Sequence, residues 1–209
     1  GYDEQALMSE LDQLLQTLLT TPKALRVSYQ EAFLSHLNLD PLTINIEELK
    51  IKIASLSQDL WLQEESSKDT LLQWLFSCHI EPELGLMDGE FVPCFVYDFP
   101  ASQSSLAKIS KKDPRVAHRF ELYYKGMELA NGFYELQDPL EQRARFVKDN
   151  KIRAANGQTT RPIDEHFLTA LEAGLPECSG VALGVDRLFM LKSEIRYIAE
   201  SLSFSIDRA

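Results

Sequence analysis

Two acidic residues stand inside stretches that are otherwise apolar and aromatic. Glu121 lies in the segment 120–125 and Glu128 in the segment 128–136. A buried carboxylate is costly unless it meets a cation or a metal ion. Two carboxylates on neighbouring strands could hold Mg²⁺, which prefers oxygen ligands and commonly bridges substrate phosphates. The alternative is an exposed strand face that carries charges, and spacing alone leaves both interpretations open.

A stretch that contains two glycines precedes an arginine near the end of the sequence. In SGVALGVDRLFML, Ser179 to Leu191, Gly180 and Gly184 lack side chains, so a flat ring could lie against this backbone. Arg187 follows where a strand is predicted to meet the N-terminus of a helix, which suits a phosphate group. The glycines, the arginine and nearby carboxylates indicate a nucleoside triphosphate with Mg²⁺. Glycines in strands also mark bulges or close packing, which is the simpler interpretation.

Hydrophobic periodicity predicts the elements that position these residues. Because residues two apart on a strand share a face, Glu121 and Tyr123 are predicted to share one face. On the next strand the same rule predicts that Glu128 faces away from Asn131. Further strands are predicted at 91–99 and 180–185, and helices at 3–20, after Ser28, and at 46–57, 69–79, 139–155, 164–173 and 187–191.

These elements predict how the chain is organised. Residues 1–90 are mainly helical, whereas residues 91–209 carry the strands with helices between them. The order indicates an α+β fold in which helices flank a largely antiparallel sheet. The helix predicted at 139–155 carries five cations that could dock an acidic partner or form a solvated face: Arg143, Arg145, Lys148, Lys151 and Arg153.

The composition excludes several classes of protein. A chain of 209 residues is long enough for one sizeable core. Its 21 Lys and Arg against 32 Asp and Glu give a net charge of −11, which argues against nucleic-acid binding by the bulk surface. No apolar stretch reaches the length of a membrane span. Three widely spaced cysteines argue against a disulfide framework and favour the reducing cytoplasm.

Three blocks of the sequence resemble class II aminoacyl-tRNA synthetases of the lysyl-tRNA synthetase branch. GVALGVDRL is similar to motif 3 of that class. RFELYYKGMELANGFYEL, residues 119–136, resembles the strand pair upstream of motif 3, and DEHFLTALEAGLP, residues 164–176, resembles the segment that leads into it. The resemblance covers residues 91–209 closely and the helical first part loosely. It implies a six- or seven-stranded antiparallel sheet that activates an amino acid with ATP.

The resemblance implies a set of residues that hold ATP and Mg²⁺. Glu121 and Glu128 would bind the metal ion and the nucleotide. Phe133 would stack on or near the adenine, and Gly184 would also belong to the ATP-binding set. Arg187 would hold the γ-phosphate, so that Glu128 and Arg187 would be the catalytic residues.

The resemblance implies a second set that binds the amino acid. Asn131 and Glu135 would face it, with Glu135 paired to its side-chain ammonium group. Ala182 stands where lysyl-tRNA synthetases have glycine, and we expect its methyl group to project into the pocket or to shift the backbone beside it. Ala182, the acidic surface and the C-terminal SFSIDRA make the sequence resemble a bacterial branch that lacks the anticodon-binding domain. Enzymes of that branch activate (R)-β-lysine as an adenylate and transfer it to a lysine of elongation factor P.

The same resemblance leads to expectations about the whole protein. The chain is expected to be the C-terminal part of a class II synthetase-like catalytic domain that starts after motif 2 and lacks motifs 1 and 2. On its own it is therefore expected to be inactive. The complete protein is expected to be a cytoplasmic homodimer that binds elongation factor P and (R)-β-lysine or lysine, and not tRNA. Arg119 lies in a pattern like that of motif 2, His118 to Glu121, but its position in the later strand block excludes this assignment.

The sequence leaves two alternative functions open. A lysyl-tRNA synthetase catalytic domain would carry the same motifs, and Ala182 and the acidity argue against it. A non-catalytic synthetase-like module would bind an amino acid or a partner. Glu121, Glu128 and Arg187 argue against the module, because it has no need for groups that bind metal and phosphate.

Overall fold

The computed structural model describes residues 1–206, so the last three residues of the SFSIDRA stretch lie outside it. Its helices are α1 Glu4–Leu19, α2 Tyr29–Leu37, α3 Ile46–Ala54, α4 Leu60–Glu64, α5 Lys68–Leu75, α6 Pro139–Ala155, α7 Glu165–Ala173 and α8 Val185–Ser193. Its strands are β1 Leu25–Ser28, β2 Leu86–Met87, β3 Glu90–Phe91, β4 Cys94–Pro100, β5 Val116–Tyr124, β6 Met127–Tyr134 and β7 Ser179–Leu183.

Capping residues in the sequence fix where several helices begin. At the start of α2 the Ser28 hydroxyl accepts from the Glu31 N–H at 3.1 Å, while the Glu31 carboxylate accepts from the Ser28 N–H at 2.8 Å. This reciprocal capping box is the one that the sequence predicts. At the start of α6 the Asp138 carboxylate accepts from the Leu140 N–H at 2.8 Å, with Pro139 at the first helical position.

Five strands form one mixed sheet in the order β1-β4-β5-β6-β7. The pairs β4–β5, β5–β6 and β6–β7 are antiparallel, which confirms the predicted α+β sheet, but β1 pairs with β4 in parallel. Sequence periodicity misses β1 because four residues are too few to show a pattern. Lys125 and Gly126 both have positive φ, as a tight hairpin between β5 and β6 requires. Residues 1–206 therefore hold five strands of this sheet, fewer than the six or seven that the resemblance implies.

The two faces of the sheet pack against different parts of the chain. On one face Phe95 and Phe120 pack with Met8, Leu11 and Leu15 of α1. On the other face a second core holds β4 and β5 residues together with the helices α2 to α5: Tyr29, Phe33, Phe76, Cys94, Val96 and Tyr123. These helices cover the β1–β4 half of their face, whereas several residues of β6 and β7 on the same face are only partly buried or exposed. That uncovered half is referred to below as the open face.

A β-bulge in β6 changes which residues point to the open face. Glu121 pairs with Asn131 and Leu122 pairs with Ala130, but Tyr123 pairs with Glu128, so that Leu129 is an extra residue without a partner. Cross-strand partners share a face, so Glu128 lies on the same side as Asn131. The prediction that Glu128 faces away from Asn131 is wrong, because strict alternation fails where a strand contains an inserted residue.

Element ends differ from the predictions in two places that matter. The helix predicted at 69–79 ends at Leu75 and continues as a π-helical turn, Phe76–Ile80, and a 3₁₀ turn, Glu81–Glu83. The strand predicted at 180–185 ends at Leu183, because Gly184 caps α8. In the part of the chain that the structure describes, the helices are too short or too polar to cross a membrane.

Candidate active site

Three adjacent strands bring the predicted site residues to the open face. Glu121 on β5 pairs with Asn131 on β6, and Asn131 pairs with Ala182 on β7. Phe133 lies between Arg119 and Gly180 in the same way. The register therefore places on one face the residues that the sequence assigns to ATP, metal and amino acid: Glu121, Glu128, Asn131, Phe133 and Ala182.

Glu121 is a buried carboxylate with three donors around it. Only 7% of the surface of Glu121 is exposed to solvent. Oε1 accepts from Arg119 Nη2 at 2.6 Å and from Asn131 Nδ2 at 2.9 Å, while Oε2 accepts from the Tyr123 hydroxyl. These partners offset the cost of burying the charge and fix the orientation of the carboxylate.

Glu128 and Arg187 lie together at the edge of the open face. Arg187 Nη1 donates to the Glu128 carbonyl oxygen at 2.6 Å and lies 3.8 Å from its Oε2. The Arg187 side chain is 47% exposed, so its guanidinium keeps donors for a ligand. Burial, and then the nearby Glu121 charge, raise the pKa of Glu128. A cation bound here would relieve that repulsion.

Gly184 lies where the Arg187 stem packs against the backbone. A Cβ at this position would stand 3.4 Å from the Cδ of Arg187 and 3.5 Å from the Leu129 carbonyl oxygen, which are ordinary van der Waals distances. These contacts therefore do not require a glycine at this position. The Gly184 N–H donates to the Leu129 carbonyl at 2.8 Å, so this group is not free for a phosphate.

Glu135 lies over Gly180 at the far end of β6. A Cβ on Gly180 would meet Glu135 Oε1 at 2.5 Å, so the glycine makes room for the carboxylate. Burial raises the pKa of Glu135. Among residues 1–206 no cation forms a salt bridge with it. A half-buried carboxylate without a cation is suited to a positively charged ligand group.

Asn131 and Ala182 lie opposite each other between these two carboxylates. Asn131 Nδ2 is used by Glu121, whereas its Oδ1 is buried and has no hydrogen-bond partner within the described residues. Ala182 is exposed on the open face. Because the two residues are cross-strand partners, the Ala182 methyl group lies beside Asn131.

The structure adds three residues that the sequence did not assign to the site. Arg119 and Tyr123 hold Glu121, and Glu81 from the 3₁₀ turn lines a cavity of about 390 Å³ together with Glu128 and Arg187. The pKa of Glu81 is raised by burial and then by Glu128 and Glu121. Alternation could have found Tyr123 and Arg119, since both share the face of Glu121. Nothing in the local sequence marks Glu81, because it comes from a distant part of the chain.

The rejection of Arg119 as a phosphate-binding residue fits its contacts. Its Nη1 donates to the Gln103 carbonyl oxygen at 2.7 Å and its Nη2 to Glu121, while its guanidinium lies 4.6 Å from the centre of the Phe99 ring. Both terminal nitrogens of the guanidinium are thus engaged by protein groups, whereas its buried Nε has no hydrogen-bond partner among the described residues.

The basic helix α6 uses most of its arginines within the protein. Arg143 pairs with Glu165, with Nη1 at 2.9 Å from Oε1. Arg145 donates to the carbonyl oxygens of Ser105 and Ala107, both at 2.8 Å, and Arg153 donates to that of Thr159 at 2.8 Å. These contacts favour a structural role for α6 over docking of an acidic partner.

The carboxylates of Glu121 and Glu128 suit a magnesium ion whose remaining ligands are substrate phosphates. Within residues 1–206 no three His, Cys, Asp or Glu side chains are arranged to hold a metal by themselves. Magnesium nevertheless needs only one or two carboxylates when phosphates supply the other ligands. Glu121 keeps one acceptor position on Oε2, and Glu128 is only partly buried.

Comparison with known proteins assigns the chain to a family. The chain matches the family model described as tRNA synthetases class II (D, K and N) over residues 4–208. The chain therefore belongs to the class II tRNA synthetase family.

Two curated relatives carry the same name, elongation factor P--(R)-beta-lysine ligase. The protein from Vibrio cholerae serotype O1 is 53% identical over 209 residues, and that from Edwardsiella ictaluri is 52% identical over 208 residues. Each match covers 100% of this chain and 63% of the relative. The chain thus spans somewhat less than two thirds of the length of these proteins.

Proposed function

We propose that this chain forms part of a ligase that activates (R)-β-lysine with ATP and transfers it to a lysine of elongation factor P. The observation that carries the proposal is that Glu135, which has no salt-bridge partner among residues 1–206, lies on the same sheet face as Glu128, with Arg187 beside Glu128. One end of the face suits an ammonium group and the other suits phosphates and a metal ion. The names of the two relatives support the choice of substrates.

The amino acid would be held by polar groups on β6 and directly after its end. Glu135 would pair with the terminal ammonium group, since it has no cation of its own among the described residues. Asn131 Oδ1 would accept from the second ammonium group, which relieves its unmet hydrogen bond. Ala182 would limit the space along the chain of the substrate.

The nucleotide would lie across Phe133 and the Glu128–Arg187 pair. Arg187 would bind the terminal phosphate, because its guanidinium is half-exposed and charged at every physiological pH. Phe133 is half-buried on the open face and would offer its ring to the adenine. Glu121 and Glu128 would hold Mg²⁺, which neutralises charge on the phosphates when it is bound.

The proposed reaction has two steps. In the first, a carboxylate oxygen of β-lysine attacks the α-phosphorus of ATP, and pyrophosphate leaves. In the second, the neutral amine of the acceptor lysine attacks the acyl carbon, AMP leaves, an amide forms and the amine releases a proton. The protein groups act by orienting the reactants and by balancing charge, which are the main sources of rate in phosphoryl chemistry.

The test is pyrophosphate exchange followed by protein modification. The complete gene product is assayed for ATP–pyrophosphate exchange with (R)-β-lysine and with α-lysine, and then incubated with elongation factor P. We expect exchange that prefers (R)-β-lysine and a mass increase of one β-lysyl group on elongation factor P. Exchange with α-lysine followed by charging of tRNA would instead identify a lysyl-tRNA synthetase.

We also propose the organisation of the whole protein. Residues 1–209 would form the C-terminal part of the catalytic domain, with 1–90 as its mainly helical portion. The active protein would be a cytoplasmic homodimer. The three free cysteines are in keeping with a reducing compartment.

A further inference from the structure

We propose that Tyr123 is a positioning residue that acts through Glu121 to fix the side-chain amide of Asn131. The orientation of the amide follows from contacts within the chain. Only the identity of the group that Asn131 then binds, an ammonium group of the amino acid, rests on the proposed function.

The two oxygens of the Glu121 carboxylate accept hydrogen bonds from different donors. The Tyr123 hydroxyl donates to Oε2, so that this oxygen has its own partner. Oε1 is left to accept two bonds, from Arg119 Nη2 at 2.6 Å and from Asn131 Nδ2 at 2.9 Å. Arg119 is itself fixed by the Gln103 carbonyl oxygen at 2.7 Å. The carboxylate thus has a single orientation in which both oxygens are satisfied.

This orientation decides which end of Asn131 is available. An ionised carboxylate only accepts hydrogen bonds, so the side of Asn131 that faces Glu121 must be its NH₂ group. The amide oxygen then points away from Glu121, and it is buried with no partner among residues 1–206. An acceptor in this state favours a ligand that donates, such as an ammonium group, over one that accepts.

Tyr123 is well placed to act as a rigid support. Only 3% of the surface of Tyr123 is exposed to solvent, and its ring centre lies 5.7 Å from that of Phe76. Phe76 belongs to the π-helical turn of the helical portion, and it also stacks on Tyr29 with centres 5.4 Å apart. The helical portion therefore holds the ring, the ring holds the carboxylate, and the carboxylate holds the amide.

Removal of the hydroxyl should loosen this arrangement without opening the core. In Tyr123→Phe the ring packing remains, but Glu121 Oε2 loses its donor in a buried position. The carboxylate then gains by turning Oε2 towards the remaining donors, so that Asn131 no longer has one fixed partner. The matched control is Tyr124→Phe, because Tyr124 is the next residue on β5 and points to the other face.

The experiment reads the amide directly by NMR. The side-chain NH₂ resonances of Asn131 are assigned by their loss in Asn131→Asp, and their hydrogen exchange is measured in both tyrosine variants. We expect exchange to be faster in Tyr123→Phe by about tenfold, the scale of one hydrogen bond to a charged group, and unchanged in Tyr124→Phe. Unchanged exchange in Tyr123→Phe overturns the inference, whatever the protein is found to catalyse.

A binding measurement on the complete gene product separates this inference from the proposed function. Titration calorimetry should show the Kd for (R)-β-lysine raised about tenfold in Tyr123→Phe and unchanged in Tyr124→Phe. A purely structural role would lower the melting temperature of Tyr123→Phe and leave the Kd for (R)-β-lysine as it was, which contradicts the inference. A wild-type protein that binds no amino acid would refute the proposed function, while the NMR result would still decide the role of Tyr123.

Discussion

At the scale of single residues, Ala182 offers the sharpest test of substrate choice. The two lysine isomers contain the same atoms and differ in the carbon that carries one amino group, so a pocket anchored at both ends distinguishes them by shape. The Ala182 methyl group stands on the open face opposite Asn131. We predict that Ala182→Gly shifts kcat/KM towards α-lysine by about 10–200-fold, the effect of one methylene-sized change in a pocket.

The control for this prediction is Ala182→Ser, which keeps side-chain bulk at the same position. We expect it to retain the preference for (R)-β-lysine. If Ala182→Gly leaves the isomer ratio unchanged and only lowers the melting temperature, the methyl group stiffens the strand and takes no part in selectivity. The expected loss of stability in that case is about 0.5–1 kcal/mol.

Glu128 tests the phosphate and metal end of the site. Its side chain is partly exposed and makes no hydrogen bond that the fold depends on, although its backbone carbonyl receives Arg187. We predict that Glu128→Gln lowers kcat for pyrophosphate exchange on the order of 10²–10³-fold, because a preorganised charge is lost, while the melting temperature stays the same. Glu90→Gln, an exposed carboxylate on β3, is the control and should leave the rate unchanged.

The sequence could assign candidate roles to residues only where a motif carried them. The motifs marked Glu121, Glu128, Asn131 and Arg187, and the structure brings the first three to one face. They could not mark Glu81, because its proximity to Glu128 depends on how the helical portion folds onto the sheet. The motifs also gave no sign that Glu121 is held by three donors.

At the scale of elements, a partly buried pair of a histidine and a glutamate fixes the beginning of α1 to the sheet. His118 Nδ1 on β5 lies 2.9 Å from Glu4 Oε1. The hydrogen bond to Glu4 raises the pKa of His118 above its ordinary value, with Asp98 adding to the effect and burial and Lys108 opposing it. Because the folded-state pKa is raised, the stabilisation is complete below the unfolded-state pKa and is lost as the pH rises through the folded-state pKa.

This linkage predicts how stability depends on pH. Glu4→Gln should lower the melting temperature at pH 6 and should have a smaller effect at pH 8.5, because the contribution is lost as the pH rises through the raised pKa of His118. Melting curves at both values, measured by circular dichroism, provide the check. His36→Gln serves as the control, since His36 bonds only its own helix and its neighbour Ser35. An equal effect of Glu4→Gln at both pH values would show that the charge of His118 does not contribute.

Local signals predicted most helices and the positions of the longer strands, because caps and periodicity act within a few residues. The Asp138–Pro139 start of α6 and the Ser28 box of α2 are examples. Two features needed information from other strands. β1 forms only against β4, and the β6 bulge exists only as a shift of register against β5. Neither the short strand β1 nor the β6 bulge produces a periodic pattern of apolar residues in the sequence.

At the scale of the whole molecule, the net charge of −11 bears on the choice of acceptor. Phosphate contacts need clustered cations, and the arginines of α6 are engaged by protein groups. We predict that tRNA binds no more tightly than the roughly 10⁻⁴–10⁻⁶ M typical of non-specific nucleic-acid complexes at physiological salt. Filter binding of the complete gene product, with a lysyl-tRNA synthetase as positive control, measures this. Submicromolar binding with a steep salt dependence would restore the synthetase interpretation.

The β6 bulge makes the spacing between Glu128 and Asn131 intolerant of length changes. Each residue added or removed between them would turn Glu128 to the face packed against α1, because side chains alternate along a strand. Leu129 is 1% exposed and packs with that side, so a shift would also bring a charge into a core. Gly126 of the hairpin turn also lines the cavity that contains Glu128, but the length of the turn does not set the face on which Glu128 lies. Natural insertions and deletions in this hairpin should therefore be confined to the turn, while the segment 128–131 keeps a fixed length even where its apolar residues vary.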